Sequence, residues 1–221
     1  MANKFKQEVV DYAKLMDELG LVNSLEGNLS VLDRETGEMY ITPSGIRKRF
    51  INEDRVAVVD KDGKWIDGEL KPSSEILLHR IALDNRPDCD ACAHIHAPYL
   101  TAWAYMNKDI EIKCSTTFSL VFEKIPCIPY GEPGTEHIAD GLDEVIQDND
   151  LVLLGNHGVV AVGKTLEDAC KIIEAAEEVL HIYMMAQELG GVHDISDEDL
   201  EHLYEHHPGS KRNRLRAKNA E

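Results

Sequence analysis

Two histidines one residue apart, in Ala93-His94-Ile95-His96-Ala97, are the first residues whose type and spacing point to chemistry. In an extended strand side chains alternate, so both imidazoles fall on one face while Ile95 turns to the other and into a core. Two neutral imidazoles on one side make half of a metal site, and packing gives no reason for the pair. His157, in Leu154-Gly155-Asn156-His157-Gly158, is the best third imidazole, because it sits at a strand end between glycines that let backbone approach closely. His79 lies one helical turn beyond Glu75 and shares its face, either as an alternative ligand or as a partner hydrogen-bonded to the site. His181, His193, His202, His206 and His207 occupy a polar stretch and read as solvated surface. Three histidines and a carboxylate suit Zn2+ or another divalent first-row ion, with a coordination position left open if the site is catalytic.

Three other segments have the character of anion sites: Glu26-Gly27-Asn28-Leu29-Ser30, Thr42-Pro43-Ser44-Gly45 and Lys71-Pro72-Ser73-Ser74-Glu75. Each puts a small hydroxyl or amide residue beside a turn. Backbone N–H groups, hydroxyls and a helix start at Ser73 or Ser74 could together hold a phosphate. Turns and helix caps use the same residue types, so each segment alone reads as structural. Three of them, one ending in a carboxylate able to reach a histidine-rich site, point to a ligand.

The elements that must position these residues follow from periodicity. Val9, Tyr12, Ala13, Met16 and Leu19 recur at helical spacing and Gly20 follows as a C-cap, so the chain opens with a helix over residues 5–19. Short alternating runs over 28–32, 39–42, 55–59 and 65–67, with a Lys61-Asp62-Gly63-Lys64 turn, predict strands and a hairpin. A helix is expected over 76–83, capped by Ser73 or Ser74 with Glu75 in its first turn. Residues 90–96 predict a buried strand running into Pro98, followed by a helix over 99–106 and strands over 110–114 and 125–129. A helix over 135–146, strands over 151–155 and 159–162, a long helix over 166–189 and a short acidic one over 196–207 complete the pattern. Strands alternating with covering helices give one three-layer α/β domain over 1–207, followed by a basic, flexible tail over 208–221.

Composition narrows the function classes. The chain has 221 residues, 43% hydrophobic and 29% charged, as in a soluble globular protein, with no apolar run near the roughly 20 residues of a membrane helix. The N-terminal run meets charge before any signal-like apolar stretch, so the expected location is cytoplasmic. A net charge of −18 repels nucleic acid, against which only the bases Lys211, Arg212, Arg214, Arg216 and Lys218 run together. Cys89, Cys92, Cys114, Cys127 and Cys170 are odd in number and scattered, as expected of reduced thiols. The Cys89-Asp-Ala-Cys92 spacing has no second pair to complete a zinc knuckle.

Taken in order, Gly27-Asn28-Leu29-Ser30, Thr42-Pro43-Ser44-Gly45, Pro72-Ser73-Ser74-Glu75, His94-Ile95-His96-Ala97 and Asn156-His157-Gly158-Val159 resemble the signature segments of the class II aldolase/adducin family, within its L-fuculose-phosphate aldolase and L-ribulose-5-phosphate 4-epimerase group. The resemblance covers residues 5–190. It implies a central, mainly antiparallel sheet with helices on both sides, and a homotetramer with active sites at subunit interfaces. It further implies Zn2+ held by His94, His96 and His157, with Glu75 as metal neighbour and acid/base. Phosphate would be held by Gly27, Asn28, Ser44, Gly45, Ser73 and Ser74. The implied reaction is cleavage of a phosphorylated ketose, fuculose-1-phosphate-like, to dihydroxyacetone phosphate and an aldehyde through a metal-stabilised enediolate.

The epimerases carry Asp where this chain has Glu75, so Glu75 leans toward aldolase or dehydratase. The fuculose-phosphate aldolases carry a tyrosine shortly after the strand that follows the H-x-H segment. Here that stretch reads Lys113-Cys114-Ser115-Thr116-Thr117, and Tyr204 is out of register with the family's C-terminal tyrosine. The alternatives on the same scaffold are a phosphosugar epimerase, dehydratase or decarboxylase. A non-enzymatic adducin-like head is disfavoured by the three retained histidines. A cupin-like dioxygenase would need a Glu soon after the pair, and none occurs before Glu111.

Overall fold

A computed structural model describes residues 3–220. Eight strands form one sheet: β1 (Asn28–Leu32), β2 (Met39–Ile41), β3 (Ala57–Val59), β4 (Trp65–Asp67), β5 (Ala91–Ile95), β6 (Cys127–Ile128), β7 (Leu151–Leu154) and β8 (Gly158–Gly163), in spatial order β4-β3-β2-β1-β5-β8-β7-β6. Every neighbouring pair is antiparallel except β6 with β7. The expected central, mainly antiparallel sheet is therefore present, with helices on both faces.

The period of two divides the core. Ala91, Ala93 and Ile95 of β5, Leu29 and Val31 of β1 and Val159 and Ala161 of β8 pack on one face. That face is covered by α1 (Lys4–Glu18), α3 (Pro98–Ala104), α4 (Thr116–Val121) and α6 (Leu166–Glu188). Leu32, Cys92, Val160 and Val162 turn to the other face, under α2 (Ile76–Asp84) and the turns around α5 (Leu142–Val145). Each large aliphatic side chain buried this way contributes about 1.5–3 kcal/mol.

Helix boundaries follow local chemistry. The Asn3 side chain accepts from the amides of Phe5 and Lys6 to start α1, and Thr165 with Asp168 forms a capping box on α6. Pro98 ends the strand and opens α3, whose first free amides, on Tyr99 and Leu100, both donate at 2.9 Å to the Glu177 carboxylate of α6. The segment leaving His96 is thus tied to the long helix. Burial raises the Glu177 pKa above the ordinary carboxylate value, while the two amides pull it back.

Several expectations fail for identifiable reasons. Residues 110–114 form no strand beyond a reciprocal Ile110–Ile125 bridge, because Ser115 caps the unexpected helix α4 immediately after. The helix expected over 135–146 is broken at Gly141, whose left-handed φ of 84° separates the 3-10 turn at Glu136–Ala139 from α5. The acidic helix α7 (Asp197–His206) forms as expected. Residues 211–218, expected in the flexible tail, are instead a helix, α8 (Lys211–Lys218), capped by Ser210. Its buried Lys211 donates to the Asn149 side chain and the Lys124 carbonyl, Arg212 pairs with Glu201 and Lys218 with Asp148. Acids on the body hold the basic segment down, a long-range pairing that local pattern does not express. Among the described residues all five cysteines are free, and no helix is long and apolar enough to cross a membrane.

Candidate active site

The register of the central strands builds the site. Asn28 of β1 lies opposite His94 of β5, and His94 lies opposite Val160 of β8. His94 therefore sits at the middle of the sheet, fully buried, on the face covered by α2. Its Nδ1–H donates to the Val159 carbonyl at 2.8 Å, which leaves Nε2 bare for a ligand role. His96 follows where the strand runs out, with its Nε2 3.0 Å from that of His94. His157 arrives from the β7–β8 turn. There Asn156 takes the left-handed conformation (φ 56°), and its side chain accepts from the Asn107 amide at 2.7 Å.

One ligand nitrogen from each of His94, His96 and His157 lies within 4.8 Å of the others. Nitrogens about 2.05 Å from a tetrahedral ion would stand about 3.3 Å apart, so three convergent imidazoles at this spacing fit a divalent cation. Their chemistry agrees. Burial lowers the pKa of all three, helped for His94 and His96 by mutual repulsion with His157, so each ring is neutral at pH 7 and offers a lone pair. The His157 Nδ1 is buried without a hydrogen-bond partner. The cradle is also tight: a Cβ on Gly158 would stand 2.8 Å from the Ile95 carbonyl oxygen, 3.1 Å from His96 and 3.3 Å from His94. Only glycine lets β8 begin against the two rings.

Glu75 completes the cluster. Its Oε1 is 3.5 Å from His157 Nε2 and its Oε2 is 3.5 Å from His94 Nε2. The expected cap at Ser73 or Ser74 is corrected: Glu75 itself occupies the N-cap position of α2, and its side chain makes no capping bond. Ser73 Oγ accepts the Glu75 backbone N–H at 3.3 Å and holds the turn, which leaves the carboxylate free to face the histidines.

The three hydroxyl and glycine turns, distant in sequence, are joined by backbone. Thr42 N–H donates to the Leu29 carbonyl, the Thr42 carbonyl accepts from Ser73 N–H, and Ser44 N–H donates to the Lys71 carbonyl at 3.0 Å. The Ser44 hydroxyl donates to the Pro72 carbonyl at 3.1 Å, and Gly27 and Gly45 hold the left-handed φ values their turns require. Gly27, Asn28, Ser44, Gly45, Ser73 and Ser74 thus border one region beside the start of α2. His79 stays out of the imidazole cluster. It is fully buried and bonded to Ser30 and Asn28.

Two further neighbours of the cluster are Lys48, which no sequence pattern singles out, and Glu26, which the sequence places only in an anion-type turn. Lys48, 2% exposed, donates from Nζ to the carbonyls of Asn23 and Glu26 at 3.2 and 3.3 Å, and burial lowers its pKa. Glu26 Oε1 reaches to 3.6 Å from His96 Nδ1. The only hint of Lys48 was its place just after Gly45, since a lysine burying its charge has no periodic signature. A separate cleft of about 750 Å3, between α7, α8 and the body, is lined by Phe122, Leu200, Tyr204 and Lys211 and touches none of the histidines.

A helix-flanked mixed sheet with three imidazoles and a carboxylate gathered at its centre defines the class II aldolase type of α/β protein. The pattern described as Class II Aldolase and Adducin N-terminal domain matches residues 7–184, and the chain belongs to that family. It is 32% identical over 203 residues to a 5-deoxy-D-ribulose 1-phosphate aldolase of Bacillus thuringiensis serovar kurstaki, covering 92% of this chain and 95% of that one. It is also 32% identical over 177 residues to a 3-oxo-tetronate 4-phosphate decarboxylase of Escherichia coli, covering 78% and 82%. Among solved structures, an L-fuculose 1-phosphate aldolase superposes with a TM-score of 0.82 at 34% identity, over 93% of this chain and 97% of that one.

Proposed function

We propose that this chain is a divalent-metal-dependent aldolase that cleaves a phosphorylated ketose to dihydroxyacetone phosphate and an aldehyde. The observation that carries the reading is the placement of Glu75, 3.5 Å from ring nitrogens of both His94 and His157 yet attached to the turn that borders the hydroxyl and glycine region. A proton carrier is thereby set between a cation site and an anion site.

His94, His96 and His157 would hold the ion, Zn2+ or a similar first-row metal, with Glu75 beside it. When bound, the ion supplies Lewis-acid stabilisation of the negative charge that develops as a carbon–carbon bond next to a carbonyl breaks. Gly27, Asn28, Ser44, Gly45, Ser73 and Ser74 would hold the phosphate beside the start of α2, whose N-terminus the Glu75 side chain does not cap. Binding energy from that non-reacting group orients the ketose. In cleavage the hydroxyl beyond the breaking bond gives its proton to the Glu75 carboxylate and becomes the aldehyde oxygen, the bonding pair passes to the carbon next to the carbonyl, and Glu75 returns the proton to that carbon.

The decarboxylase relative supports a second reading. Loss of CO2 from a 3-oxo acid leaves the same electron pair beside a carbonyl, and no tyrosine stands in residues 113–117 to favour an aldol leaving group. The resemblance also supports a homotetramer working in the cytoplasm. Leu25, 88% exposed next to Glu26, is an apolar side chain that a second subunit would cover. The deciding experiment assays metal-loaded protein against phosphorylated ketoses and 3-oxo acid phosphates, following aldehyde and CO2 separately. Aldehyde release from a phosphoketose supports the aldolase. CO2 release alone replaces it with the decarboxylase, and turnover by metal-free protein removes the metal from either reading.

A further inference from the structure

Beyond the cluster itself, one buried chain of polar groups runs from the interior of the sheet to the Glu75 carboxylate. Asn28 and Ser30 are two residues apart in β1 and so share the face that α2 covers, and both are buried. His79, one turn into α2, is fully buried between them. Its Nδ1 lies 2.6 Å from Ser30 Oγ, its Nε2 contacts Asn28 Oδ1, and Asn28 Nδ2 lies 2.6 Å from Glu75 Oε2.

The donors in this chain have only one consistent direction. A carboxylate oxygen can only accept, so Asn28 must turn its NH2 to Glu75 and its carbonyl oxygen to the ring. The opposite amide orientation would set two acceptors against each other at Glu75. His79 must then carry its proton on Nε2, which leaves Nδ1 bare to accept the Ser30 hydroxyl. A neutral ring supplies this one donor and one acceptor, and complete burial, which lowers the His79 pKa to about 3, keeps it neutral. Three groups from two elements, Ser30, His79 and Asn28, thus point their donors in series at Oε2.

We propose that His79 is a positioning residue for Glu75: its Nε2–H orients the Asn28 amide, the amide holds Glu75 Oε2, and Ser30 fixes the tautomer. The role is needed because Glu75 sits at an N-cap position where its side chain, free of any capping bond, could otherwise rotate away from the histidines. It also separates His79 from the three imidazoles: His79 acts through hydrogen bonds rather than as a ligand. The proposal rests on the reading of Glu75 as proton carrier.

Two measurements test it. The first needs no substrate: nitrogen-15 NMR of histidine-labelled, metal-loaded protein should show a ring protonated at Nε2 and bare at Nδ1 whose signals vanish in His79→Gln. An Nδ1-protonated ring or an imidazolium at that position would overturn the chain. The second compares variants on whichever substrate the native protein turns over. His79→Leu should lower kcat about 10- to 100-fold with KM and bound metal nearly unchanged. His79→Gln, which can still donate to Asn28, should recover most of the loss. Equal kcat for His79→Leu and native protein would remove the positioning role. So would equal defects in the two variants while both stay folded by circular dichroism. A native protein inert toward every phosphoketose would defeat the aldolase reading alone, since the tautomer measurement still decides the chain.

Discussion

Apart from the buried His79, the ten histidines of this chain fall into two populations that differ in setting, not in chemistry. His202 and His206, one turn apart on α7, have ring centroids only 4.2 Å apart, closer than any pair in the cluster of His94, His96 and His157. Yet the first pair is exposed, and His206 spends its Nδ1 on its own helix, at the His202 carbonyl. His181 stacks on Tyr99 and His137 pairs with Asp140. In the central cluster, two separate stretches of backbone bring three ring nitrogens to one point, burial keeps the rings neutral, and Glu75 faces them. Proximity of imidazoles is therefore common on this molecule. Convergence of bare nitrogens out of water is confined to the sheet centre.

The sharpest way to break this comparison is to delete one imidazole from each population. His94→Ala should remove most of the bound metal, and turnover with it, whereas His202→Ala should leave both intact and change stability by no more than about 0.5 kcal/mol. Elemental analysis of the two purified variants checks this; equal metal content would erase the distinction. Next in size is Glu75→Gln, which keeps the three rings and should retain metal while lowering turnover about 100- to 10,000-fold. Its product should also lose the proton exchange into dihydroxyacetone phosphate that NMR in deuterated water reads for native protein. Loss of metal in proportion to activity, restored by added Zn2+, would make Glu75 chiefly a ligand.

Smaller effects probe the surroundings of the cluster. Ser73→Ala should lower kcat/KM about 10- to 100-fold for a phosphorylated ketose and far less for its unphosphorylated form, as loss of a hydrogen bond to a charged group predicts. Equal losses on both substrates would reduce Ser73 to its bond with the Glu75 amide. Gly158→Ala should cost about 1–3 kcal/mol, because the new methyl is driven into His94, His96 and the Ile95 carbonyl. Denaturant unfolding measures that cost, and an unchanged midpoint would show the cradle to be loose.

The mildest expected effect is a pH dependence of metal-stripped protein. The unfolded chain protonates His79 below about pH 6.5, but the native chain does not until about 3, so the unfolded state binds more protons in between. Stability is then full above pH 6.5 and falls on acidification, by about 1 kcal/mol per pH unit from this group. Thermal unfolding at pH 7.0 and 5.5 should show the drop, reduced in His79→Gln. The same drop in that variant would assign it elsewhere.

Much of the site was legible in the chain itself. His94 and His96 were readable because a strand's period of two puts residues i and i+2 on one face whatever surrounds it, and Ile95 does turn into the core. His157 was readable from its flanking glycines, one of which is needed for close approach. The three turns bore the residue types of anion sites, and their order carried the family resemblance. These are properties of neighbours in sequence, where covalent geometry alone dictates direction.

Tertiary structure decided what depends on partners far along the chain. The i, i+4 spacing of Glu75 and His79 could make either residue a ligand, and only β1, packed beneath α2, gave His79 its bonds to Ser30 and Asn28 and left Glu75 to the imidazoles. Lys48 found carbonyl acceptors on a turn more than twenty residues away, and the basic C-terminal segment became a docked helix through acids on the body. Residues 110–114 and Gly141 show the converse, since a plausible local pattern yielded to a cap and a left-handed turn. Periodicity says which way a side chain points, but a hydrogen bond or an ion pair needs a second group, and its position exists only once the strands have paired.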